Sequence, residues 1–458
     1  MTLATETLTQ LVIATEGLDT PLLDRARSVV GMAVLLGAAW ALSADRRRIS
    51  WSLVAWGVGL QFAFAFFILR TDVGAVIFDA ASALIVGLLG FTEQGAAFIF
   101  GNLVQNEVPV GTVGPGGFSQ VSGQFAQTGA AFAFNVLPTI IFFSALMAVA
   151  YHLGIMQRVV RAAAWVMQRT MGTSGAESLA AAGNVFVGQT EAPLLVRPFI
   201  QKMTQSELMA LMTGGFATVA GGVLAAYVGM LTPYFPDVAG HMLAASVMSA
   251  PAALVVAKMM MPEIDEPETA GSLEINVEQS DVNVIDAAAR GASEGLTLAL
   301  NVGAMLLAFV ALIYLCNGMV GWLGTLVGFD GLTLELLLGW LLAPLAWLMG
   351  VPWVDAPAIG SLLGIKTVLN EFVAYLQLAA SLGQGSSMGS DALSPRSVVI
   401  ATYALSGFAN FGSIAMQIAG IGGLAPSRRA DLSRLGLRAM IGGSIAAFMT
   451  ATVAGMIL

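Results

Sequence analysis

Long, almost uncharged apolar runs limit what this chain can fold into more than any other feature. Eight of them, at residues 29–44, 51–69, 130–153, 208–231, 238–261, 296–327, 398–421 and 437–458, hold only Lys258 and Arg438 as charges. A helix needs about 20 apolar residues to span hydrocarbon, where an unpaired backbone is too costly. Hydrophobic residues make up 57% of the 458 and charged ones only 10%, far below the roughly 25% of soluble domains. The expected fold is an all-α polytopic membrane protein with eight transmembrane helices. Two further apolar stretches, 73–101 and 332–350, are open between crossing and lying in the interface.

Charge placement orients this count. Arg46, Arg47 and Arg48 follow the first run, and Arg428, Arg429, Arg434 and Arg438 stand at the start of the last. The positive-inside rule puts both groups in the cytoplasm and both termini outside, which requires an even number of crossings. Alternation then places Arg158, Arg161, Arg169, Arg197, Lys202, Lys258 and Arg290 inside, and leaves Arg25, Arg27, Arg70 and Arg396 outside. The first 28 residues lack the basic and apolar pattern of a cleaved leader, so the first run is expected to stay as an anchor. Residues 262–286 read as an acidic cytoplasmic linker, a solvated loop with no specific partner.

Several function classes fall away. A net charge of −9 with scattered bases argues against nucleic acid. Cys316 stands alone, so neither a disulfide framework nor a thiolate metal site is expected. His152 and His241 lie at ends of spans and read as interface residues rather than proton relays.

Two segments, 174–200 and 355–383, are apolar but interrupted by Gly, Pro and charge. Each is too long for one helix and suits a re-entrant hairpin. A span with a near-identical motif follows each: Gly215-Phe216-Ala217-Thr218 in one, Gly407-Phe408-Ala409-Asn410 in the other. The order hairpin, broken span, span thus occurs twice, entering from opposite sides. Inverted repeats with discontinuous helices are how many secondary transporters build a site at the midplane.

Ionisable groups inside a membrane are expensive and point to function. The first hairpin offers Asn184, Gln189, Thr190 and Glu191 beside Gly188 and Pro193; the second offers Lys366, Asn370 and Glu371. Carboxylates, amides and hydroxyls together suit a neutral polyhydroxylated ligand. Lys366 has the alternative role of neutralising one carboxylate, and Glu177 that of capping a helix after Thr173 and Ser174. An intramembrane enzyme using Glu191 and Glu371 as an acid/base pair is the rival reading. No metal-ligand cluster, nucleophile–histidine arrangement or phosphate-binding Gly-Lys-Ser/Thr loop supports it. The chain is not expected to be an enzyme, and an ion gradient must drive uptake.

At these residues the sequence resembles the concentrative nucleoside transporter family. Gly364-Ile365-Lys366-Thr367-Val368-Leu369-Asn370-Glu371-Phe372-Val373-Ala374-Tyr375 fits that family's signature, and 184–198, 212–226 and 400–426 are similar to its other hallmarks. The resemblance covers about residues 30–458. It implies a homotrimer in the plasma (inner) membrane, each protomer with a scaffold and a moving transport domain. It implies import of nucleosides such as uridine, cytidine and adenosine by symport. Gln189, Thr190 and Glu191 would contact the ligand, with Val223 nearby; Glu371, Asn410 and Ser413 would hold the ribose, with Phe408 lining the site. The coupling ion would be sodium, held by Asn184, Val187, Thr218 and Val219 in part through backbone carbonyls, with a proton as the alternative. No cofactor is implied. The corresponding division is 1–153 scaffold, 154–262 first transport repeat, 263–292 linker, 293–330 scaffold span and 331–458 second repeat.

Overall fold

The structure, a computed structural model, describes residues 20–105, 107–115, 117–127, 132–271, 281–383 and 393–458. The chain opens with α1 (Leu22–Ala41) and α2 (Trp51–Arg70), followed by α3 (Asp72–Phe100). An antiparallel hairpin of β1 (Glu107–Gly114) and β2 (Gly117–Gln127) precedes α4 (Leu137–His152). Then come α5 (Ile155–Met171), α6 (Gly175–Asn184) and the short α7 (Ala192–Leu195). The halves α8 (Gln205–Ala217) and α9 (Gly221–Leu231) form one broken span, and α10 (Val238–Met260) returns. Beyond the linker lie α11 (Val284–Leu326), α12 (Leu334–Leu348), α13 (Ala356–Val368) and α14 (Glu371–Gly383). The second broken span, α15 (Pro395–Leu405) and α16 (Phe411–Leu424), leads into α17 (Arg429–Ile457).

Side-chain contacts fix which helix ends lie together. Arg25 donates to the carbonyl of Leu458 at 3.0 Å, Arg70 to that of Ile457 at 2.9 Å, and Arg396 to that of Gly350 at 3.0 Å. At the opposite end Arg438 donates to Leu42, the Ala44 N–H to Met260 at 2.8 Å, and Arg428 to Met203 at 2.6 Å. Traced between these two ends, α1, α2, α4, α8–α9, α10, α11, α15–α16 and α17 make eight crossings among the described residues.

Among the described residues, seven helical stretches are long and apolar enough to cross a membrane, and α3 is one of them. Its contacts place it otherwise. A side chain at Gly240 would meet the ring of Phe78 at 2.5 Å, and one at Gly229 would meet Leu89 at 4.0 Å. Both glycines flank the turn between α9 and α10 at the Leu458 end, so α3 passes across that end instead of down the bundle. Conversely, α1 carries Asp24, Arg25 and Arg27 in its first turns, and neither α15 nor α16 alone reaches spanning length. Six of the eight expected runs therefore qualify by apolarity, and the other two cross as a charged-ended helix and a broken one.

Other boundaries moved. The first expected span begins at Leu22 rather than 29, and the run 296–327 is preceded by polar helix from Val284. The β-hairpin was not foreseen. Residues 130–131 of the third run, and 272–280 of the linker, lie outside the described residues. The described part of the linker is not free: the Thr269 carbonyl and hydroxyl accept the N–H groups of Gly175 and Ala176, both at 3.0 Å.

Both repeats form as expected, for local reasons. Ser174 and Glu177 make a reciprocal capping box at α6, as do Thr204 and Glu207 at α8. Glu177 also pairs with buried Lys258 at 2.7 Å. The base of the first hairpin lies at the Arg428 end through these contacts, and that of the second at the Leu458 end, where Ser394 donates to Asp355 at 2.7 Å. The hairpins enter from opposite ends. Between α4 and the first hairpin, α5 turns Met156, Val160, Ala164, Met167 and Met171 inward while Arg158, Arg161 and Arg169 stay exposed, an amphipathic helix.

Candidate functional site

The two breaks meet at the centre of the molecule. A side chain at Gly407, whose φ is +155°, would lie 2.8 Å from the carbonyl oxygen of Phe216 and 3.0 Å from that of Ala217. Only glycine permits this approach. The Phe408 N–H then donates to the Thr218 carbonyl at 3.3 Å. The tip of the first hairpin rests on the same place: a side chain at Gly215 would come within 2.8 Å of both Gln189 and Gln417.

A continuous chain of buried hydrogen bonds runs through this junction. Glu371 accepts from the Tyr227 hydroxyl at 2.9 Å and from the Asn410 amide at 3.0 Å. Asn410 caps α16 by accepting from the Ser413 N–H at 2.9 Å, and the Ser413 hydroxyl accepts from Gln189 at 3.0 Å. Gln417 donates to Gln189 at 3.0 Å and to the Met212 carbonyl at 3.1 Å. Both hairpins and both broken spans are thereby joined.

A cavity of about 1480 Å³ opens from this network toward the Arg428 end. Gln189, Thr190, Glu191 and Val223 line it from one repeat; Glu371, Phe408, Asn410 and Ser413 line it from the other. All eight residues expected to contact the ligand are thus gathered around one space. Where the cavity reaches the far end, Arg290 forks Asp281 at 2.7 and 2.9 Å and holds that carboxyl below the usual carboxylate range.

The residues expected to hold a cation form a second group beside the first. Asn184 ends α6, is 1% exposed, and neither atom of its amide has a hydrogen-bond partner among the described residues. It packs on Gly214, where a side chain would lie 3.0 Å from Nδ2, and the Gly214 carbonyl accepts from the Thr218 hydroxyl at 2.9 Å. Val187 and Val219 are buried next to these in the chain, at the irregular turns following α6 and α8. A buried amide is rarely left unpaired. Neutral oxygens of this kind fit a hard monovalent ion better than Ca²⁺, which draws on carboxylates. Among the described residues no group of His, Cys, Asp and Glu forms a metal cluster.

Other expectations resolve differently. Lys366 does not pair with Glu371; its ammonium donates to the Ala404 carbonyl at 2.7 Å, at the negative end of the α15 dipole. Asn370 caps α14 through the Val373 N–H at 2.9 Å, which frees Glu371 to face the site. His241 is not an interface residue: it is buried between Phe78 and Phe235, with Nδ1 3.1 Å from the Tyr403 hydroxyl. Tyr227 and Gln417 were missed. Each stands four residues beyond a named site residue, Val223 or Ser413, and so on the same helix face, a spacing that was available to find them.

Comparison with known proteins agrees with this geometry. Three family profiles match in chain order: "Na+ dependent nucleoside transporter N-terminus" over residues 30–103, "Nucleoside recognition" over 133–234 and "Na+ dependent nucleoside transporter C-terminus" over 241–455. An uncharacterized transporter of Haemophilus influenzae is 43% identical over 432 residues, 94% of this chain and 97% of that protein. Sodium/nucleoside cotransporter 1 of Rattus norvegicus is 41% identical over 438 residues, and this chain spans 63% of its length. Among solved structures, CNTnw in an inward-facing substrate-bound state shares 43% identity with a TM-score of 0.83, covering 95% of this chain and 98% of that one. A doubly substituted CNTnw in an outward-facing state gives 0.85 at 42% identity, with the same coverage. The chain belongs to the concentrative nucleoside transporter family: it is a membrane protein that transports nucleosides, and not an enzyme.

Proposed function

We propose that this protein imports nucleosides such as uridine, cytidine and adenosine by sodium symport across the plasma (inner) membrane, both termini lying outside. The observation that carries the coupling is the buried, unpartnered amide of Asn184 beside Thr218. The ion would take the Asn184 and Thr218 oxygens and carbonyls near Val187 and Val219. It would thereby steady the turns that hold Gln189 and the start of α9. Nucleoside would be held by Glu371, Asn410 and Ser413 through its ribose, with Gln189, Thr190 and Glu191 at the base and Val223 and Phe408 as apolar walls. Binding of ion and nucleoside to one pair of breaks is the physical basis for coupling.

In this reading the two repeats, 154–262 and 331–458, move together. Gln61 on α2 donates to the Met248 carbonyl and the Thr450 hydroxyl, both at 3.2 Å, which sets that helix against both repeats. The scaffold would be residues 1–153 with the span in 293–330, α4 and α11 packing closely through Gly291 and Gly295. A homotrimer embedded in lipid would hold three such scaffolds together.

The test is labelled uridine uptake into proteoliposomes under independently imposed sodium and proton gradients. A sodium gradient should drive saturable accumulation above equilibrium, with cytidine and adenosine competing. Free uracil should compete poorly, because unpaired ribose-binding groups are costly to leave buried. Equal accumulation on a proton gradient alone would replace sodium by protons as the coupling ion. Unsaturable, strictly downhill flux would replace the carrier by a channel.

A further inference from the structure

The cavity of about 1480 Å³ exceeds the roughly 300–1,000 Å³ that holds a single small ligand. The groups around Glu371 line only its inner part. Its outer part is bounded by Tyr151 near the end of α4, Gln157 on α5 and Arg290 on α11. Arg290 is fully engaged, by Asp281 and by Glu294 at 2.9 and 3.0 Å.

Tyr151 and Gln157 are not engaged in this way. The Tyr151 hydroxyl and the Gln157 side-chain oxygen are both buried without a hydrogen-bond partner among the described residues. Gln157 donates its amide nitrogen to the backbone carbonyl of Tyr151 at 2.5 Å, which fixes the amide and leaves its oxygen spare. The carboxylate of Glu191, exposed at the tip of the first hairpin, lines the same cavity as the Tyr151 phenol. One phenolic donor, one amide acceptor and one carboxylate acceptor complement neighbouring hydroxyl groups. Unpaired buried polar atoms are rare unless something visits them.

Resting on the transport reading above, we propose that Tyr151 and Gln157, with Glu191 shared between the two sites, form a second, weaker nucleoside station. It takes the ribose hydroxyls as the nucleoside passes between the Glu371 site and the Arg428 end. With fewer polar partners than the inner site, it binds and releases readily, as a station on an exit path must.

The experiment uses the full-length protein at saturating sodium, with uridine binding followed by saturation-transfer NMR. The Glu371→Ala/Asn410→Ala variant removes the inner ribose contacts and should retain weak, saturable binding. Adding Tyr151→Phe, or separately Gln157→Leu, should weaken that remainder about threefold to tenfold, the worth of one hydrogen bond. Loss of all uridine binding in the double variant, with tight binding intact in the wild type, would overturn the station. So would a remainder indifferent to both added substitutions. A wild type that binds no uridine would overturn the underlying reading, and the station with it.

Discussion

The backbone N–H of Phe408 meets the carbonyl of Thr218 at 3.3 Å, joining the break in one repeat to the break in the other. Neither half of the molecule owns the site. Phe408 lines the cavity expected to take the nucleoside, and Thr218 belongs to the group expected to hold the ion. In the proposed symport, a single hydrogen bond would thus span the two functions to be linked.

Glu371→Gln tests the ribose side of this junction. Both carboxylate oxygens already accept, from Tyr227 and from Asn410. A glutamine of the same shape turns an amide NH₂ toward one of those donors and loses charge-assisted bonds worth about 1.5–3 kcal/mol each. Uridine affinity, titrated in saturating sodium, should fall about tenfold or more. Wild-type affinity in a properly assembled variant would remove Glu371 from the ribose site.

Gly407→Ala tests the close approach of the breaks. The new methyl would press on the carbonyls of Phe216 and Ala217, and backbone cannot give way as a flexible side chain can. Overpacking of this kind costs about 1–3 kcal/mol. The thermal midpoint of the purified protein and its uptake should both drop. Gly423→Ala, on α16 with nothing within 4 Å of its added methyl, is the control and should leave both unchanged.

Lys258→Met tests the knot at the base of the first hairpin. Lys258 pairs with Glu177 at 2.7 Å and with Glu263 at 2.9 Å, and donates to the Ser206 hydroxyl at 3.0 Å. Removing the ammonium strands the 2% exposed Glu177 carboxylate, and breaking a buried pair typically costs about 3–5 kcal/mol. The midpoint should fall strongly for Lys258→Met and recover in part for Lys258→Met/Glu177→Gln, where the fully buried carboxylate is neutral and only the partly exposed Glu263 is left without its cation. A double variant as unstable as the single one would show that Glu177 is not the stranded charge.

Much of this architecture was legible because function required the apolar pattern to be interrupted. Glycine, proline and amide residues in the middle of spans announced the hairpins and breaks, and the paired motifs ending in Thr218 and Asn410 announced the repeat. Apolarity could not tell α3 from a spanning helix, since hydrocarbon-facing side chains look alike whether a helix crosses or lies along an end. His241 was misread because sequence gives its place near the end of a span but not the Phe78 ring that α3 lays over it. Tyr227 and Gln417 were overlooked for a related reason. An aromatic hydroxyl or a lone amide in a span is often satisfied by packing, and only tertiary contacts show that these two extend the hydrogen-bond chain through Glu371 and Gln189.

The coupling itself is tested by comparing Thr218→Val with Asn410→Ala. Thr218 stands with the unpartnered Asn184 amide around Gly214, whereas Asn410 donates to Glu371 on the nucleoside side. Linkage is reciprocal, so if sodium raises nucleoside affinity, nucleoside raises sodium affinity by the same factor. Thr218→Val keeps the side-chain shape, removes one oxygen, and should shift the sodium dependence of uridine binding to higher concentration. Saturating sodium should then restore most of the affinity, because the nucleoside contacts are intact. Asn410→Ala should depress uridine binding at every sodium concentration, since no amount of ion replaces the hydrogen bond to Glu371. The measurement is a uridine titration repeated across a sodium series for both variants. An unchanged sodium dependence in Thr218→Val would place the ion elsewhere, and full rescue of Asn410→Ala by sodium would put that residue on the ion's side of the junction.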